Sequence, residues 1–123
     1  MYQADELKRR TKKFAVRVIN LFRSLPRTEE ARIIGKQVLR SGTSIAANYR
    51  AVCRARSRAE FIAKVGIVVE EADETVFWLE LLTEAGIVRE RKMQALLGEA
   101  NELLAVFAAS QFTAKSRLNN KTK

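Results

Sequence analysis

From Phe61 to Leu79 the apolar residues Phe61, Val65, Val68, Ala72, Val76 and Leu79 recur at spacings of four, three, four, four and three. Only an α-helix gathers such positions on one side, because its side chains repeat about every 3.6 residues. The rest of the chain carries the same period. At about 100° per residue Leu7, Phe14, Val18, Leu21 and Leu25 fall together, as do Ile34, Val38, Ile45, Tyr49 and Val52, and later Met93, Leu96, Leu97, Ala100, Leu104 and Phe107. With 1 proline and 5 glycines in 123 residues, there are too few turn formers for an all-β chain, and the 47% hydrophobic content is too high for disorder. The expected fold class is all-α, in one domain.

Punctuation divides the pattern into four helices. Asp5 suits the cap of a first helix ending near Ser24, where Leu25-Pro26-Arg27 forces an extended break. Thr28, Glu29 and Glu30 suit the start of a second, which persists to about Arg56. Ser57-Arg58-Ala59-Glu60 has the form of a capping box for a third helix, ended near Gly86. A fourth runs from about Arg89 to Phe112, and AKSRLNNKTK beyond it lacks apolar periodicity. The expectation is an up-down four-helix bundle over residues 1–114, with a basic flexible tail at 115–123.

The third helix is apolar over more than one face, since Ile62, Ile67, Val69, Phe77, Trp78 and Leu81 lie outside its seam. Two explanations stand: a second buried surface between subunits, for which Phe77 and Trp78 are candidates, or a central position within one monomer.

The second helix carries a stripe of another kind. Arg32, Lys36, Arg40, Thr43, Ala47, Arg50 and Arg54 follow at spacings of four, four, three, four, three and four, covering only about 80° of circumference opposite the apolar face. On the first helix Arg9, Lys13 and Arg17 repeat at four, and neighbouring helices would bring the two rows together. Residues 1–58 hold 15 Lys and Arg against 4 Asp and Glu, whereas residues 59–111 hold 4 against 10. Such polarity serves an anionic partner, or the meeting of one subunit's basic half with another's acidic half; a plain solvated face is the bland alternative. Nucleic-acid phosphates fit the arginines best.

Other clusters point elsewhere. Ser41, Gly42 and Asn48 interrupt the apolar side of the second helix with small or polar groups, which suits close helix approach and the setting of register or oligomer state. In VVEEADETVFWLELL, Glu70, Glu71, Asp73 and Glu74 suggest salt bridges to a basic neighbour, with a carboxylate site for Mg²⁺ or Mn²⁺ as the remote alternative. The chain has no histidine, which removes the usual general base and the imidazole ligands of zinc or di-iron sites. Its lone cysteine, Cys53, inside a helical pattern, is expected to be small buried filler. No enzyme activity, metal or cofactor is expected. No apolar stretch approaches the ~20 residues of a membrane span, and MYQADELKRR has no apolar signal core, so a cytoplasmic location is expected.

A longer pattern carries a resemblance. Leu25-Pro26, then the run from Gln37 to Asn48 (QVLRSGTSIAAN), then Arg56-Ser57-x-x-Glu60-Phe61, then Glu71-Ala72-Asp73-Glu74-Thr75-x-x-Trp78-Leu79 occur in this order. Together they resemble the bacterial four-helix-bundle family that includes the intervening-sequence proteins encoded inside large-subunit ribosomal RNA genes, often labelled ribosomal protein S23-like. The resemblance covers about residues 14–110 and implies a four-helix bundle that assembles into a homopentameric ring. A related branch, the accessory variability determinant of diversity-generating retroelements, is a basic pentamer that binds nucleic acid and a reverse transcriptase. Many members follow the asparagine with Ile-Ala-Glu-Gly, where this chain has Tyr49-Arg50-Ala51-Val52, gaining an arginine and losing the Glu-Gly pair.

The residues expected to meet phosphates are Arg9, Lys13, Arg17, Arg32, Lys36, Arg40, Arg50 and Arg54, helped by Arg56 and Arg58 in the connection. The expected function is non-enzymatic, oligomeric RNA or DNA binding; the alternative is a homopentameric adaptor for an acidic protein partner, such as a reverse transcriptase-type enzyme.

Overall fold

The computed structural model describes residues 2–122, with side chains described for 3–119. Four helices follow one another: α1 Tyr2–Ser24, α2 Glu29–Val52, α3 Arg58–Glu84 and α4 Glu90–Thr122. There is no strand among the described residues. The chain is all-α and forms a helical bundle, as the periodicity requires.

The boundaries have local causes. Leu25-Pro26 interrupts the first pattern, and Thr28 caps α2 by accepting the Ala31 N–H at 3.3 Å. Ser57 caps α3 by accepting the Glu60 N–H at 3.0 Å. Glu60 does not complete the expected capping box; its carboxylate pairs one turn on with Lys64, at 3.1 Å. Gly86, at φ 74°, closes α3 in the left-handed conformation, with Ile87 N–H donating to the Leu82 carbonyl and Gly86 N–H to that of Thr83.

Three boundaries depart from the sequence expectation. α1 starts ahead of Asp5, which lies in its first turn rather than at its cap. α2 stops at Val52, so Cys53 sits just past the helix, exposed and not the buried filler expected. α4 continues beyond Phe112 to Thr122 because residues 113–119 are helix-compatible and Ala114 still packs, at 9% exposure. Lys123, the end of the expected tail, lies outside the described residues.

Packing follows chain order: α1 lies on α2, α2 on α3 and α3 on α4, while α1 and α4 meet only sparsely. Val18 faces Gly42, and Phe22 and Leu25 face Gly35, so α2 descends as α1 rises. The core is drawn mostly from the predicted seams, with Phe14, Val18, Val38, Ile45, Val65, Val68, Leu79, Met93 and Phe107 almost fully buried. Leu103 rather than the expected Leu104 points inward on α4, Leu82 joins the core of α3, and Leu21, Leu25, Ile34, Phe61, Leu97 and Leu104 are only partly buried. At Gly42 an added Cβ would lie 2.8 Å and 2.9 Å from the two Val18 methyls, so a missing side chain sets how near α1 and α2 approach. Ser41 is also fully buried; its hydroxyl pairs with that of Thr75 on α3 at 2.9 Å. Asn48 is half-buried and spends its amide within α2, donating to Ser44 O at 2.9 Å and Ser44 Oγ at 2.7 Å.

Candidate nucleic-acid interface

The chain's basic half is built by α1, α2 and the connection after α2. Arg32, Lys36, Arg50, Arg54 and Arg56 are exposed, as are Arg9 and Lys13; Arg17 and Arg58 are half-buried. None of these nine takes part in an ion pair among the described residues. The apolar face of α2 opposite them is held in the core by Val38, Ile45, Tyr49 and Val52, which fixes the stripe outward.

Arg40 is different. It reaches across to α3, where Nη1 lies 3.3 Å from Glu71 Oε1 and Nη2 donates to Glu74 Oε2. Glu74 also accepts from Trp78 Nε1 at 3.1 Å. The indole bond, then the Arg40 bond, hold the Glu74 carboxyl below its ordinary pKa; the Arg40 guanidinium is held above its own, first by Glu74 and then by Glu71. The salt bridges expected of the acidic cluster therefore form, through Glu71 and Glu74, and they occupy one of the cations assigned to phosphate.

A second such contact was not legible in the sequence. Arg10 on α1 donates from Nε to Glu99 Oε2 at 2.8 Å and from Nη2 to Glu99 Oε1 at 2.9 Å, and again to Glu102 at 2.6 Å. The Glu99 bonds are the main cause of its raised pKa. Bidentate guanidinium–carboxylate geometry is the strong form of this interaction. Thus the acidic half of the chain neutralises two arginines of the basic half, one at the α1–α4 seam and one at the α2–α3 seam, and leaves the outer faces positive.

The α1 row does not sit directly beside the α2 stripe. Arg10 marks the flank of α1 turned to α4, whereas Val18 and Phe22 mark the flank turned to α2. At about 100° per residue, Arg9, Lys13 and Arg17 step from the outer face of α1 toward the α4 flank. Lys8 and Lys12, both exposed and absent from the stripe reading, occupy the α2 side of the same arc. From Lys8 round to Arg17 the exposed arc of α1 carries cations across roughly 180°, with exposed Asp5, Glu6 and Val16 set among them, and these two lysines stand on its α2 side. Their signal was present in LKRRTKKF, where no acid interrupts the cations.

The expected packing pair splits on the outer side of α3. Phe77 is 53% exposed and rests edge-on against Trp78, ring centres 4.9 Å apart, while Trp78 is half-buried. Ile67, at 44%, is exposed on the same helix. Among the described residues no group of three His, Cys, Asp or Glu is placed to hold a metal ion, and no helix is long and apolar enough to cross a membrane.

Comparison with known proteins agrees with this architecture. The family model described as 23S rRNA-intervening sequence protein matches residues 5–109. The crystal structure of a protein of unknown function from the S23 ribosomal protein family of Bacteroides thetaiotaomicron superposes with a TM-score of 0.78 at 36% identity, covering 85% of this chain and 96% of that one. Among curated proteins, none matches the chain.

Proposed function

The chain belongs to the 23S rRNA-intervening sequence protein family, and from that premise we propose that it is a non-enzymatic, oligomeric protein of the cytoplasm that binds RNA or DNA phosphates. One observation carries the reading: α1, α2 and the connection after α2 present Arg9, Lys13, Arg32, Lys36, Arg50 and Arg54, none of them in an ion pair among the described residues. A dense row of free cations repels itself, an anionic partner relieves that repulsion, and a phosphate backbone supplies anions at repeating intervals. Binding through phosphates fixes position and carries little sequence information. The family's association with ribosomal RNA makes RNA the favoured target.

The test is binding of a short structured RNA across a salt series. Wild type is expected to lose affinity steeply as salt rises, because each phosphate contact releases counterions. The triple substitution Lys36→Glu, Arg50→Glu and Arg54→Glu lies on exposed positions and is expected to flatten that slope and weaken binding at least tenfold, with helicity unchanged. Equal affinity of wild type and triple variant at every salt concentration overturns the reading. Loss of an acidic protein ligand, with RNA unaffected, would favour the adaptor instead.

With this function goes an assembly. Ala63, Ile67, Glu70, Glu74, Phe77 and Leu81 follow on α3 at spacings of four, three, four, three and four, a second seam turned away from the core. Exposed Ile67 and Phe77 suit contact with another copy of the chain, and we propose that the copies form the pentameric ring that the family resemblance implies.

A further inference from the structure

At the end of the bundle where α1 begins and α4 finishes, the helices enclose an open cleft of about 960 Å³. Three cations line it, each from a different helix: Lys8 on α1, Arg58 at the start of α3 and Arg117 on α4. None is in an ion pair among the described residues. Two aromatic residues, Tyr49 and Phe61, also line it. Tyr49 is 7% exposed and its ring is seated 5.1 Å from that of Phe107. Burial first, and then Cys53, raise the phenol pKa above its ordinary value. Asp5 is the one carboxylate in the lining.

This set narrows the ligand. Clefts of roughly 300–1,000 Å³ take molecules of drug size, so inorganic phosphate would leave most of the space unfilled. The lining mixes three cations and a carboxylate with Val52, Phe61, Val106 and several alanines, so its ligand carries both charge and an apolar surface, and one carboxylate does not make a metal site. What fits is an anionic head for Lys8, Arg58 and Arg117, a flat body to lie against the half-buried ring of Phe61, and donors for Asp5.

We propose that this cleft binds a nucleoside monophosphate unit, either as a free nucleotide or as the 5′-phosphorylated end of an RNA strand. The site goes beyond the outer-face reading and shares Lys8 and Arg58 with the basic surface described above. It gives the protein a pocket for one nucleotide beside a surface for many phosphates.

Calorimetric titration of the full chain with AMP, GMP, CMP and UMP tests it, with inorganic phosphate and adenosine as controls. At least one nucleotide is expected to bind tenfold or more tightly than either control. Thr113→Trp fills the cleft from an exposed position without changing charge, and Arg117→Glu reverses one of its cations; each is expected to weaken the nucleotide at least tenfold while helicity stays unchanged. The Lys36/Arg50/Arg54 triple variant is expected to keep nucleotide affinity while losing long RNA, so the two readings fail separately. A 5′-phosphorylated RNA oligomer favoured over its 5′-hydroxyl counterpart identifies the strand end as ligand; equal binding of the two oligomers identifies the free nucleotide. Absence of nucleotide binding at millimolar concentration, or binding unchanged by Thr113→Trp, overturns the proposal.

Discussion

Two glycines in helices of this bundle illustrate how the same residue type serves opposite ends. At Gly42 a methyl group would enter the space of Val18, a side chain fully buried and unable to swing away. Gly98 on α4 is exposed, and nothing lies within 4 Å of the place a Cβ would occupy. Replacing a helical glycine with alanine gains up to about 1 kcal/mol of helix propensity, whereas overpacking a fixed core costs about 1–3 kcal/mol. Gly98→Ala is therefore expected to stabilise by roughly 0.5–1 kcal/mol, and Gly42→Ala to destabilise by up to about 2 kcal/mol once the propensity gain is set against the clash. Urea unfolding of the two single variants checks both signs; a stabilising Gly42→Ala would mean that α1 and α2 separate more easily than their packing implies. Ser41 beside Gly42 was legible as a packing residue because a small polar group interrupted an apolar face. Its partner was not, since pairing with Thr75 depends on the registry of α2 against α3, which neither helix encodes alone.

Among the elements, α3 does most of the organising, and the chain's sole tryptophan reports on it. Trp78 donates to Glu74, and Glu74 binds Arg40 of α2, so the indole senses the clasp between the two helices. Glu74 has a lowered pKa in the folded protein, so its contribution to stability is present above the ordinary glutamate pKa and is lost as pH falls through the lowered value. Trp78 emission is expected to change on acidification with a midpoint below that of an ordinary glutamate, and Glu74→Gln is expected to abolish that transition. Because Arg40 is half exposed, the stability cost of Glu74→Gln is expected to stay under about 1 kcal/mol and to shrink further in salt. An acid transition unmoved by Glu74→Gln would assign it to other carboxylates. The helices themselves were legible in the spacing of apolar residues and in Pro26, Ser57 and Gly86. The end of α4 was not, because polar residues after Phe112 prolong a helix without marking a face. The Arg10 clasp was hidden for another reason: Arg10 meets Glu99 across 89 positions of sequence, and only the closed bundle brings them together, whereas the Glu71 and Glu74 bridges were expected without their partner Arg40.

For the whole molecule the question is how a chain of net charge +9 holds together and associates. Within one copy, acids of α3 and α4 take up Arg10 and Arg40 at the two seams, and the surplus remains on the outer faces of α1 and α2. Between copies, two kinds of surface are available, and salt separates them. The basic faces act through charge, so whatever they bind is expected to leave as ionic strength rises. The outer seam of α3 is centred on Ile67 and Phe77, and apolar contact is little weakened by moderate salt. Light scattering is therefore expected to give an oligomeric mass at both low and high salt, with bound RNA adding mass only at low salt. Phe77→Glu removes one of the seam's two exposed large apolar side chains and adds a charge beside Glu74, at a position 53% exposed in the single chain, so the fold is retained while the association is lost. Its expected signature is a monomeric mass with unchanged helicity and an RNA affinity reduced through lost multivalency, without change in the contacts of a single copy. An unchanged mass for Phe77→Glu would return α3 to the other explanation its sequence allows, a helix made apolar on several sides simply because α2 and α4 both lean on it.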